Sequence, residues 1–167
     1  MTIVTTTYLE LLSLEQLRPA QPSISGMQIT ESPPGDWQFN RSMYLAVGTP
    51  WAWNDKRTWS DDQWQTYVQT DQLRTFAAYE NDQMAGYYEL RQVANSQENG
   101  VEIAYFGLLP AFIGRGLGGV LLTSAIQAAW EISPTRVWVQ TCSLDHPAAL
   151  ANYQARGMKV YKVESTA

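Results

Sequence analysis

The stretch from Val101 to Gly119, VEIAYFGLLPAFIGRGLGG, constrains the fold more than any other part of the chain. Its alternation predicts a half-buried strand over Val101–Leu109, which Pro110 ends. Glycines at 114, 116, 118 and 119 then lead directly onto an apolar helix predicted from Val120 to Ile132. Such a junction leaves several backbone N–H groups unpaired at the positive end of a helix dipole. Glycines remove the side chains that would hold a phosphate away from those groups. A pyrophosphate is the guest this segment suits.

Two general phosphate-binding schemes can be tested against the residues. A P-loop requires Gly-Lys-Ser/Thr, and no lysine follows these glycines. The dinucleotide fingerprint G-x-G-x-x-G is satisfied by Gly114, Gly116 and Gly119. It also needs a carboxylate about twenty residues later to hold a ribose hydroxyl. The following strand ends in Val139-Gln140-Thr141, without an acid, and the motif begins past the middle of the chain, leaving too few residues for a doubly wound sheet.

Composition bounds the rest. A chain of 167 residues is expected to form one domain over 1–167 with a sizeable core. Hydrophobic content of 45% with 16% charged residues argues against disorder. A net charge of −5 argues against nucleic acid as a partner and fits a cationic or amine substrate better. The single cysteine, Cys142, allows no internal disulfide and points to a reducing compartment. No apolar run reaches membrane-spanning length, and MTIVTTTYLE lacks the regions of a signal peptide, so a cytoplasmic protein with no membrane partner is expected.

The other elements form a mixed α/β order. Strands are predicted at Ile3–Leu12 and Met27–Glu31, a helix from Trp37 to about Val47 behind Asp36, and a second helix beginning at Ser60. An antiparallel hairpin follows, Arg74–Glu80 and Met84–Val93 around Asn81-Asp82, with a polar loop over 94–100. A strand at Arg136–Cys142, a short helix from Pro147 to about Arg156 and a final strand at Met158–Val163 complete the chain, with Ser133-Pro134 stopping the apolar helix.

Pro110 to Leu122, PAFIGRGLGGVLL, resembles the acetyl-CoA-binding segment of the GNAT superfamily of N-acetyltransferases, whose signature is Gln/Arg-x-x-Gly-x-Gly/Ala. Ile113, Gly116 and Gly118 occupy its three defined positions, with isoleucine replacing glutamine or arginine. Pro147 to Met158, PAALANYQARGM, resembles the later helix of the same family at Ala149, Tyr153 and Gly157, with His146 where an asparagine is frequent. The resemblance implies a central, mostly antiparallel twisted sheet flanked by helices. Val101–Leu109 and Arg136–Thr141 would splay apart to admit acetyl-CoA, and the N-terminal strand near Tyr8–Leu12 would help to complete the sheet. It also implies that the backbone of Phe106, Gly107 and Leu108 pairs with the pantetheine arm. The amides of Gly114, Arg115, Gly116, Leu117, Gly118 and Gly119 would take the diphosphate, with further contacts from Ile113, His146 and Tyr153.

Acetyl transfer to an amine needs a proton acceptor, a polarised carbonyl and a protonated leaving thiolate, but neither metal nor covalent nucleophile. Glu102 stands eleven residues before Ile113, where histone-acetylating relatives carry a catalytic glutamate. Alternation places it on one face with Ala104 and Phe106, as a general base or as a glutamate at an exposed strand start. Tyr153 is the candidate general acid; the plain reading is an amphipathic tyrosine packing its ring. Gly107 suits a bulge or a tight packing contact. Trp51 and Trp53, near Asp55, Asp61 and Asp62, either hold the acceptor amine or belong to the core. Cys142 and His146 are too few for a zinc site. The activity expected is acetyl transfer from acetyl-CoA to a primary amine of a small molecule or protein, by a monomer or a homodimer. The alternative is a non-catalytic acyl-CoA-binding module.

Overall fold

The computed structural model describes residues 3–21, 26–94, 99–132 and 134–167. Seven strands form one sheet in the order β2-β3-β4-β5-β6-β1-β7. They are β1 Val4–Leu11, β2 Met27–Glu31, β3 Leu73–Glu80, β4 Gln83–Ala94, β5 Asn99–Leu108, β6 Val137–Cys142 and β7 Lys159–Thr166. Every neighbouring pair is antiparallel except β5 with β6. The helices are α1 Trp37–Gly48, α2 Asp61–Val68, α3 Leu117–Glu131 and α4 Ala149–Ala155. None is long and apolar enough to cross a membrane. Of the polar loop expected over 94–100, residues 95–98 lie outside the described residues, as does Ser133.

Local chemistry explains most boundaries. Asp36 caps α1 by accepting from the Phe39 amide, and Ser60 and Gln63 close a reciprocal capping box on α2. Asn81 and Asp82 both take positive φ, the conformation a two-residue hairpin needs between β3 and β4. α3 begins at Leu117, three residues earlier than expected, so Gly118 and Gly119 belong to its first turn. α4 begins at Ala149, two residues beyond Pro147.

The N-terminal strand completes the sheet from within it. β1 is inserted between β6 and β7, pairing Thr6 with Cys142 on one side and Val4 with Thr166 on the other. Its inward residues Leu9 and Leu11 are wholly buried with Leu90, Ile103, Leu121, Ile126 and Val139. Each such leucine is worth about 1.5–3 kcal/mol of apolar transfer.

Two features of the sheet position the site. β5 and β6 pair only at Val101–Val137 and Glu102–Trp138, and beyond that rung the parallel strands part. On the other side of β5 the register slips: Ile103 faces Leu90 and Tyr105 faces Glu89, leaving Ala104 as an extra residue. That bulge reverses the alternation expected for β5. Glu102 shares the face of Tyr105 rather than that of Phe106, because Glu89 and Arg91, their cross-strand partners, lie on one side of β4.

Candidate active site

A cavity of about 800 Å³ fills the gap where β5 and β6 diverge. Ile103 to Leu108 form one wall and Val139 to Cys142 the other. Ile113, Gly114, Gly118 and Gly119 stand at one end with Asn152 and Tyr153 of α4. The segment from Trp51 to Asp55 stands at the other, with Thr6 and Tyr8 of β1.

The glycine-rich end has the geometry its sequence suggests. Gly114 and Gly116 adopt φ of +83° and +76°, and a Cβ at either would meet no heavy atom within 4 Å. The amides of Gly114, Arg115 and Gly116 have no hydrogen-bond partner among the described residues. Those of Leu117, Gly118 and Gly119 are the orphan donors of the first turn of α3. Asn152, which the sequence reading passed over, donates from Nδ2 to the Gly118 carbonyl at 3.1 Å and ties α4 to this turn. Leu117 turns inward against Ala85 and Phe112. The Arg115 guanidinium reaches away from the cavity, donating to Glu80 at 2.6 Å and lying over the Phe112 ring. Arg115 and Leu117 thus turn their side chains away from the cavity, and neither they nor Gly116 line it.

Along β5, Phe106, Gly107 and Leu108 line the cavity, and the edge of the strand beyond Glu102 has no strand partner. Gly107 sits in regular register opposite Tyr87, so the expected bulge is not there. Glycine is required by close approach: a Cβ on Gly107 would fall well inside van der Waals contact with Val47 of α1. Tyr153 packs its ring 6.2 Å from that of Phe106 and lines the cavity. Burial, and secondarily the charge of Asp145, raise its phenol above the ordinary tyrosine range.

At the opposite end Trp53 is the hub. Its indole Nε1 donates to Asp145 at 3.2 Å, and its ring lies against Tyr44 and Tyr105. Asp145 also accepts from the Thr141 hydroxyl at 2.5 Å and the Cys142 amide at 3.1 Å, which fixes the turn after β6. Trp51 meets the His146 ring edge-on at 4.7 Å. His146 Nδ1 accepts from the Ala148 amide, and both residues line the cavity. Asp55 accepts from Tyr44 at 2.8 Å, from Lys56 at 2.9 Å and from Tyr105. Burial raises its pKa, but the hydrogen bonds from Tyr105, Lys56 and Tyr44 outweigh that and hold the carboxyl below its usual range. Asp61 is engaged elsewhere, 3.7 Å from Arg41, and neither it nor Asp62 lines the cavity.

Glu102 does not line the cavity. Its side chain is buried on the face of the sheet that Tyr105 shares, opposite to that of Phe106, and accepts from Arg91 at 2.7 and 3.2 Å. The bulge at Ala104, for which neither glycine nor proline gave a signal, moves it there. The cavity's charged lining residues are the carboxylates Asp55 and Asp145; no lysine or arginine side chain lines it. Among the described residues no group of three or more His, Cys, Asp or Glu is placed to hold a metal ion.

The seven-stranded mixed sheet flanked by helices matches the fold of solved GNAT acetyltransferases. Residues 37–158 match the model of the acetyltransferase (GNAT) family, and the chain belongs to that family. No curated protein sequence matches it. It is similar in fold to a GCN5-related N-acetyltransferase from Sphaerobacter thermophilus, with a TM-score of 0.72 at 18% identity over 98% of this chain and 51% of that one. A functionally unknown conserved protein from Staphylococcus epidermidis gives a TM-score of 0.60 at 18% identity, over 98% of this chain and 60% of that one. An aminoglycoside acetyltransferase from an uncultured soil metagenomic sample gives 0.63 at 15% identity, over 78% and 86%. The chain thus spans between half and three-fifths of the length of the first two.

Proposed function

We propose that the protein transfers an acetyl group from acetyl-CoA to the amine of a cationic acceptor. The observation that carries this reading is the row of unpartnered amides from Gly114 to Gly119, whose two ends, at Gly114 and at Gly118 and Gly119, line the cleft between β5 and β6. The fit is good. Open space over Gly114 and Gly116 leaves room for a diphosphate, and the helix dipole of α3 favours its charge. Ile113 adds an apolar contact, and the unpaired edge at Phe106, Gly107 and Leu108 accepts an extended amide-bearing arm as another strand would. Acetyl-CoA supplies an activated thioester carbonyl.

The chain's own residues do the rest. Backbone donors on the free edge of β5 polarise the carbonyl oxygen. Tyr153, kept protonated by burial, would donate its phenolic proton to the sulfur as the C–S bond breaks, and the proton that the attacking nitrogen loses on forming the amide would restore the phenol. Trp51 and Trp53 wall the acceptor end, where ionised Asp55 attracts an ammonium and His146 braces Trp51. Glu102 serves the sheet through Arg91, and the amine reacts in its neutral form after releasing its proton through water.

Calorimetric titration with acetyl-CoA, and thiol release over a panel of amines, test this reading. Saturable binding of acetyl-CoA but not NAD is expected, with Gly114→Val weakening it at least about tenfold. Tyr153→Phe should lower kcat by about 10²-fold while leaving that binding intact. Absence of acetyl-CoA binding would overturn the proposal; binding with no thiol release on any amine would leave a non-catalytic acyl-CoA module.

A further inference from the structure

Beyond β1, the outermost strand of the sheet is β7, and all eight of its residues, Lys159 to Thr166, are exposed. One edge of β7 is bonded to β1; the other has no strand partner among the described residues. A long, exposed edge carrying Val160, Tyr161 and Val163 is a template for another strand. Apolar exposure concentrates here. Of eight large apolar side chains left exposed among the described residues, three lie on β7, while Ile3 and Leu12 flank the strand it pairs with. The core face of the sheet is also uncovered at this margin. Val160 stands opposite the wholly buried Leu9, yet it is 42% exposed and Val163 57%, because α3 packs on β4, β5 and β6.

We infer that this edge pairs with the same strand of a second copy, antiparallel about a two-fold axis through Val163. The charges of β7 select that partner and that register. With Val163 opposite itself, Lys162 of each copy faces Glu164 of the other, twice. Directly opposed residues share a face, and both lie on the side of Tyr8: Tyr8 pairs across from Lys162, and its hydroxyl donates to Glu164 at 3.4 Å. Within one copy Lys162 and Glu164 pair at 2.7 Å with both side chains about half exposed, so two unlike charges stand ready at the edge. A register centred on Lys162 or on Glu164 would set like charges face to face. On the core face, Val163 meets Val163 of the partner. The arrangement is isologous and closed, and it joins two sheets without blocking the cleft between β5 and β6. A single strand edge buries little area, so the dissociation constant should be on the order of micromolar.

Sedimentation velocity over a concentration series tests this with the full chain. The wild type should pass from monomer to dimer. Lys162→Glu and Glu164→Lys should each raise the dissociation constant at least about tenfold, because each sets like charges opposite one another. The doubly exchanged protein K162E/E164K should recover the wild-type constant. Circular dichroism on each variant separates loss of pairing from loss of fold, and recovery in the double variant excludes a folding defect independently. A wild type that stays monomeric at hundreds of micromolar, or a dimer indifferent to the single reversals, would overturn the inference, as would failure of the double exchange to restore it.

Discussion

Glu102 shows how one inserted residue redirects a side chain. Reading alternation along VEIAYF puts it beside Phe106, but the extra residue at Ala104 turns it to the opposite face and into the grasp of Arg91. Glu102→Gln should therefore leave kcat within about twofold and cost roughly 1 kcal/mol of stability, the worth of one charge-assisted hydrogen bond to a half-exposed partner. Activity assays beside urea denaturation check both parts, and a large fall in kcat would return the residue to catalysis. Gly107 makes the complementary point. The sequence marks it as special, but only the approach of α1 explains it, through Val47. Gly107→Ala should destabilise by about 1–3 kcal/mol through overpacking, and adding Val47→Ala should recover much of the loss. Additive losses in the double variant would refute the contact. Trp51 and Trp53 are legible as a cluster; that Trp53 binds Asp145, 92 residues away, is not, because nothing local encodes that pairing.

Elements with a local code are the ones the sequence discloses. Both caps, the Asn81-Asp82 turn and the strand–glycine–helix junction are written in adjacent residues, and the caps and the turn occur where expected. The start of α3 is misjudged by three residues because glycine is a poor helix former; here the buried Leu117 anchors a first turn that keeps Gly118 and Gly119 helical. The place of β1 is a different matter. Its composition announces a strand, and the resemblance to a known family suggests it fills out the sheet, but its two partners lie far along the chain, from Leu11 to Val137 at the nearest, and only long-range packing selects them. That packing is measurable. Leu9→Ala removes a wholly buried side chain from the centre of the shared core and should cost about 2–5 kcal/mol by urea unfolding. A cost below 1 kcal/mol would mean that β1 is a loosely held strap.

Over the whole molecule two sets of carboxylates oppose each other in pH. Burial raises the pKa of Glu89, partly offset by hydrogen bonds from Tyr67 and Asn40, so its contribution is full below the unfolded value near 4.5 and is lost as pH rises through the folded value. Asp55 and Glu31 have lowered values, so theirs is present above the unfolded range and lost as pH falls through their folded values. The melting temperature should accordingly peak under mildly acidic conditions and decline on both sides. In Glu89→Gln the decline toward neutral pH should flatten, and thermal melts from pH 3 to 8 would show whether it does. The insertion of β1 between β6 and β7 carries a further consequence for synthesis. Among the described strands β1 comes first in the chain and both its neighbours, β6 and β7, come last, so it stays unpaired until both have been made. β3, β4 and β5, consecutive in the chain, can condense early; the closure of β1 between β6 and β7 comes late and spans a long distance, and it should set the pace of folding.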